Sequence, residues 1–424
     1  MMVKRLALVF ALIGSLLLPT ILQAGKQQNG KDLKNFILPN KSGKTMIQDN
    51  NSADTQLIAA DTRFGFKLYT ELLQQNGDKN IFISPASIAF ALQMTYNGAN
   101  QATRQAMART LELNGLKLED LNAANKRLKA ALENLDPKVQ LEIANSLWAR
   151  QGVELLPAFI ERNKSAYQAE VKTLDFTNPG AAGVINAWVN DKTHGKIQKI
   201  VDQINPDSLL FLINAIYFKG VWTTQFDKTQ TIEEDFTLAN NTKKRVPMMR
   251  QTGRYPYFEN DKFQAVSLPY GDKRLSMLIF LPKSGTTLAE FHRMLTAENW
   301  ASWTNQLRDM KGNLRLPRFK VEYESSLKPA LSALGMASAF TARADFRLMV
   351  APPTRAFISD VKHKTFVEVN EEGTEAAAVT STEMRTVSIK PQEIFQMTVD
   401  HPFFFAIRDN RSGAILFMGS ITTP

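Results

Sequence analysis

A 424-residue chain without a single cysteine has no disulfide and no thiolate metal site to close it, so its fold must be held by packing alone. That demands a large apolar core. The sequence supplies one, with 44% hydrophobic and 22% charged residues, the balance of a globular protein. The demand is sharper because the N-terminus resembles an export signal. Lys4 and Arg5 give a positive start, residues 6–18 are almost unbroken apolar, and Ala24 offers a small residue before Gly25. The run is shorter than the roughly 20 residues of a spanning helix. Residues 1–24 are therefore read as a signal peptide, expected to send the chain to a periplasm or the extracellular space. An exported protein without disulfides fits a bacterial source. The net charge of +10 could attract polyanions, but solubility is the preferred reading.

Residues 25–52 are polar and poor in apolar content, a flexible tail. Helical spacing covers residues 64–74, and the strand at 80–83 is followed by Ser84-Pro85, an N-cap with Pro at the first helical position. Further helices are expected at 101–113, 118–135 and 185–193, and one at 326–334 ending at Gly335. Strands are expected at 139–148, 209–218 and 314–321. A hairpin is read at 263–270 and 276–281, and a final pair at 403–407 and 414–418. Helices concentrate early and strands late, which gives an α+β domain over residues 53–424.

The four histidines, His194, His292, His363 and His401, lack zinc-site spacing. No nucleophile elbow, phosphate loop or dinucleotide turn occurs. The expectation is no metal, no cofactor, no catalytic residue, and neither nucleic acid nor membrane as partner.

Residues 371–388 differ from the rest of the chain. Thr374, Ala376, Ala378, Thr380, Thr382, Met384 and Thr386 are neutral and share one parity. Glu375, Glu383 and Arg385 fall on the other. As a strand, this segment would turn every charge to solvent and offer a neutral face to a core. Gly373 stands where a hinge needs unrestricted backbone. Taken alone, the alternation is equally that of an exposed loop or edge strand.

The stretch Glu371-x-Gly-Thr-Glu-Ala-Ala-Ala resembles the reactive-loop hinge of the serpin family. In family order come Asn80-Ile-Phe-Ile-Ser-Pro, Asn145-Ser-Leu-Trp148, Leu212-Ile-Asn-Ala-Ile-Tyr-Phe-Lys-Gly-x-Trp222, Val246-Pro-Met-Met249, Leu316-Pro-Arg-Phe319 and His401-Pro-Phe-Phe-Phe405. The resemblance spans residues 53–424. It implies three β-sheets, eight or nine helices, and a reactive loop at about 371–391 that baits a protease, is cleaved, and inserts into the central sheet. The protein would be a metastable, monomeric inhibitor.

Residue by residue, it implies a hinge at Glu371, Gly373, Thr374, Glu375, Ala376, Ala377 and Ala378. It implies a shutter of Ser84, Ser87, Asn214 and His363, and a breach at Trp222 and Glu371. The family's count places the reactive bond at Val387-Ser388, with Arg385-Thr386 as the alternative. The first suits elastase-like or subtilisin-like serine proteases, the second trypsin-like ones, and cysteine proteases stay open. Lys126, Arg127 and Lys129 lie where some members bind polyanions. The competing reading is a non-inhibitory member acting as a binding or chaperone-like protein.

Overall fold

The computed structural model describes residues 52–77, 79–133, 137–374 and 393–424. The expected signal peptide, nearly all of the tail, hinge residues Glu375 to Ala378 and the candidate bond residues Arg385, Thr386, Val387 and Ser388 lie outside the described residues.

The chain begins with α1 (Ser52–Asn76), β1 (Ile81–Ile83), α2 (Pro85–Tyr96), α3 (Gln101–Thr110) and α4 (Leu118–Glu133). There follow β2 (Val139–Arg150), α5 (Pro157–Tyr167), β3 (Glu170–Leu174), α6 (Ala181–Lys192) and β4 (Leu210–Val221). The middle holds β5 (Ile232–Thr237), β6 (Lys243–Glu259), β7 (Phe263–Pro269), β8 (Leu275–Pro282), α7 (Leu288–Met294) and α8 (Ala297–Gln306). Then come β9 (Arg308–Pro317), β10 (Phe319–Ser326), α9 (Lys328–Leu331), β11 (Ile358–Asn370), β12 (Gly373–Thr374), β13 (Phe395–Thr398), β14 (Phe403–Asp409) and β15 (Ile415–Ile421).

Among the described residues, the strands form one sheet of six, β10-β11-β12-β4-β2-β3, and one of nine, β1-β15-β14-β8-β7-β6-β9-β13 with β5 beside β6. The three expected sheets trace as two because β6, 17 residues long, belongs to both strand groups of the larger one.

β4 is buried on both faces, as its apolar run, broken only by Asn214 between residues 210 and 218, requires. Leu210, Leu212, Ile216 and Phe218 join the main core, while Phe211, Ile213 and Ala215 meet α6 residues Ile185 and Val189 in a second cluster. Helix α2 is buried along its whole length. Phe82 stacks between Phe405 and Phe417, at 5.5 and 5.2 Å, and joins β1 to the C-terminal strands.

Two expectations need correction. The strand expected at 314–321 is two strands in different sheets, β9 and β10, which part at Arg318, where the chain leaves the larger sheet for the smaller. The expected helix 326–334 is only α9, followed by a wider turn at Ser332–Met336 in which Gly335 takes a left-handed φ of 112°.

Candidate functional site

The site lies along the seam between β11 and β4. Residues 358–365 of β11 pair in parallel with 210–216 of β4. Beyond them, two residues of β12 come between the strands. Thr374 pairs with Val369 on one side and Gly220 on the other, and Gly373 with Asn370 and Val221. The sheet therefore starts to part at one end while remaining closed below.

Local chemistry creates this start. The chain reverses at Glu371-Glu372, and Gly373 has φ 150°, a value L side chains rarely adopt. A Cβ there would collide with the Gly220 carbonyl and the Val221 Cα. Thr374 is fully buried, and its hydroxyl meets the Tyr270 hydroxyl at 2.7 Å. This contact fixes which parity of the following segment would face the core.

Trp222 closes the top of the seam. Its ring stacks on Tyr270 at 4.4 Å, its indole N–H donates to the Asn370 carbonyl at 2.9 Å, and its backbone N–H donates to that of Glu372 at 2.9 Å. Glu371 is 1% exposed. It accepts from Arg318 Nε and Nη2 at 2.8 and 2.6 Å and from the Thr231 hydroxyl at 2.5 Å. Burial alone would raise its carboxyl, yet the Arg318 guanidinium and the Thr231 hydroxyl hold it below the usual carboxylate range. Glu372 is paired with Lys228.

Below, a buried polar network crosses the closed part of the seam. His363 and Asn214 are register partners on β11 and β4, and their side chains meet at 2.6 Å, His363 Nδ1 donating to Asn214 Oδ1. His363 Nε2 accepts from the Ser84 backbone N–H at 3.3 Å. Asn214 Nδ2 donates to Ser87 Oγ and, at 2.5 Å, to Asn145 Oδ1. Ser84 Oγ donates to the Leu416 carbonyl at 2.6 Å and caps α2 through the Ser87 N–H. Burial depresses the His363 imidazole to about 3, so the ring is neutral, with one nitrogen donating and the other accepting. The four residues expected at a shutter are thus brought together, and so are Trp222 and Glu371. Asn145 completes the lower network, and Tyr270 holds Thr374 and Trp222 at the upper end. The run ending in Trp148 revealed Asn145 only as a motif letter, and Tyr270 read as the end of a strand.

Lys126, Arg127 and Lys129 do not form an open cationic stripe. Lys126 is exposed, but Arg127 is held by Asp54 at 2.6–3.1 Å. Lys129 is buried and bonded to the Ile143 carbonyl at 3.3 Å. Among the described residues no cluster of three or more His, Asp or Glu could hold a metal ion, and no helix is long and apolar enough to cross a membrane.

Comparison with known proteins gives this seam its context. The family model described as Serpin (serine protease inhibitor) matches residues 59–424. The leukocyte elastase inhibitor of Homo sapiens is 37% identical over 382 residues, covering 87% of this chain and all of its own. A serpin-like protein of Thermococcus kodakarensis is 39% identical over 378 residues, covering 87% of this chain and 86% of its own. The native-state structure of the thermophilic serpin tengpin superimposes with a TM-score of 0.80 at 30% identity, covering 87% and 94% of the two chains. The thyroxine complex of human thyroxine-binding globulin does so at 0.81 and 27% identity, covering 88% and 99%. The chain therefore belongs to the serpin family.

Proposed function

We propose that the chain is an inhibitor of serine-type endopeptidases that acts as a suicide substrate, consumed in stoichiometric trapping. The observation that carries this reading is the two-residue strand β12, antiparallel to both β11 and β4, which themselves pair in parallel below it. It is the first step of a strand insertion, held at its beginning. A protease attacking the loop forms an acyl-enzyme, and loop cleavage frees β12 to continue downward, carrying the bound protease with it.

The sequence after Thr374 suits that path. Thr374 faces the core, so Ala376, Ala378, Thr380 and Thr382 follow it inward while Glu375 and Glu383 stay in solvent, which avoids burying a charge at several kcal/mol. Counted from either neighbour, the register brings position 380 between His363 and Asn214. About ten newly paired residues, at roughly 0.5–1.5 kcal/mol net per hydrogen bond, supply on the order of ten kcal/mol, comparable with the whole stability of an ordinary domain. The uncleaved form is a kinetic trap on this account. The reactive bond is proposed as Val387-Ser388, a choice that agrees with elastase inhibitors among the relatives, and export is proposed through residues 1–24.

Mixing the mature protein with elastase, subtilisin and trypsin separately tests the proposal on denaturing gels. An SDS-stable complex with release of a peptide beginning at Ser388 is expected. A peptide beginning at Thr386 moves the bond to Arg385. Cleavage by all three without a stable complex overturns trapping and leaves a non-inhibitory member of the family.

A further inference from the structure

More than half of the chain's excess positive charge sits on two paired strands. β6 and β9 carry eight lysines and arginines against two acidic residues, a net +6 where the whole chain has +10. The register sets like charges face to face: Arg250 opposes Arg315, and Arg254 opposes Lys311. Like charges directly opposite on an antiparallel pair are destabilising, and among the described residues Glu234 and Asp309 pair with three of these four cations. Glu234 takes Arg250 and, at 3.6 Å, Arg315, and Asp309 takes Arg254 at 2.7 Å. The face is well exposed, with Arg254 at 50% and Arg315 at 45%.

This face continues onto β13, the first strand after residues 375–392. Thr252 donates to Asn313 at 2.7 Å, and Asn313 to Gln396 at 3.2 Å, in one row across β6, β9 and β13. Ile394, of the same parity as Gln396, is 45% exposed. The row thus runs from the cationic strands to the point where the bait segment rejoins the fold. Neighbouring strands lie about 4.8 Å apart, so a protease engaged on that segment comes within reach of the cations.

We infer that the outer face of β6 and β9 is a docking surface for the acidic flank of the target protease, an inference that rests on the segment being bait. Both the carboxylates interspersed among the cations and the exposed Ile394 suit a protein surface better than a uniform polyanion, which offers neither cations nor apolar groups. Clustered charge of this kind raises association rates by 10–10³-fold and loses that gain with added salt.

The test measures second-order rates of complex formation with anionic and cationic isoforms of elastase and of trypsin. The wild type is expected to trap the anionic isoform at least tenfold faster than its cationic counterpart at 0.05 M NaCl, with the preference gone at 0.5 M. Arg254→Glu with Lys311→Glu should abolish the preference, and Arg254→Gln with Lys311→Gln should halve it on a logarithmic scale, both with unchanged stoichiometry of inhibition. Equal wild-type rates for both isoforms, or a preference that survives in the double variants, overturn the docking surface while stable complexes still uphold trapping. If heparin accelerates the wild type and not the Glu variant, and isoform charge has no effect, the face serves a polyanion and the inference fails. Absence of any stable complex removes the trapping reading itself, and the inference with it.

Discussion

His363 and Asp61 are two buried ionisable groups that pull stability in opposite directions with pH. The folded imidazole of His363 sits at about 3, depressed by burial, while an unfolded histidine titrates near 6.5. The unfolded chain therefore binds the extra proton between those values, and the contribution of His363 is lost as pH falls from about 6.5 toward 3. Asp61 is raised by burial to about 8, in spite of the Gln93 amide that donates to it at 2.8 Å. Its folded form keeps a proton that the unfolded chain has shed above about 4, so its contribution is lost as pH rises toward 8. Two outcomes are expected from urea unfolding. His363→Asn should flatten the acid limb below pH 6.5, and Asp61→Asn should stabilise the protein at pH 8 by on the order of a few kcal/mol. A steep acid limb in the first variant, or no gain in the second, contradicts these assignments. The place of His363 was expected from the family resemblance alone, and that of Asp61 was not legible in the sequence. Burial of Asp61 in α1 against α2 comes from packing between helices, whereas Ser84 was legible because an N-cap is a local signal.

The seam depends on elements more than on any one side chain. The expected β4 run at 209–218 and the hairpin at 263–270 and 276–281 agree with β4, β7 and β8 to within a few residues, since buried strands advertise themselves by apolar runs. As strands, β5, β6 and β13 passed unread, the first two because their many charges mask the apolar signal and β13 because four residues are too few to show a period. So did α5, α7 and α8, the last with only Trp300 and Trp303 fully inward. The tie between β12 and β4 is likewise invisible in a linear reading, for it is a matter of register between segments some 150 residues apart. Its consequence is testable. Thr374 is the first inward position of the inserting strand, so Thr374→Arg would have to bury a charge against Tyr270 for insertion to proceed. That variant should be cleaved at a normal rate yet form little stable complex, with a stoichiometry of inhibition at least tenfold above wild type. Normal trapping by Thr374→Arg would mean that insertion does not follow the β12 register.

At the scale of the whole molecule, the proposed trap makes cleavage a stabilising event. A chain nicked in residues 375–392 should unfold roughly 10–15 °C above the intact one, because ten or so additional pairings are worth on the order of ten kcal/mol. Calorimetry on nicked and intact samples reads this directly, and equal midpoints would leave the seam permanently closed. The architecture also sets a timetable for biosynthesis. β15 lies between β1 and β14, so a strand from residues 81–83 has as its neighbour one from 415–421. Ser84, which caps α2, donates to Leu416, and Phe82 rests between two rings that follow it by more than 320 positions. A ribosome must therefore make nearly everything before the first strand has anything to pair with. A stop codon near residue 402 would remove β14 and β15, the two strands that join β1 to the rest of the larger sheet, and leave β1 with no strand partner among the described residues.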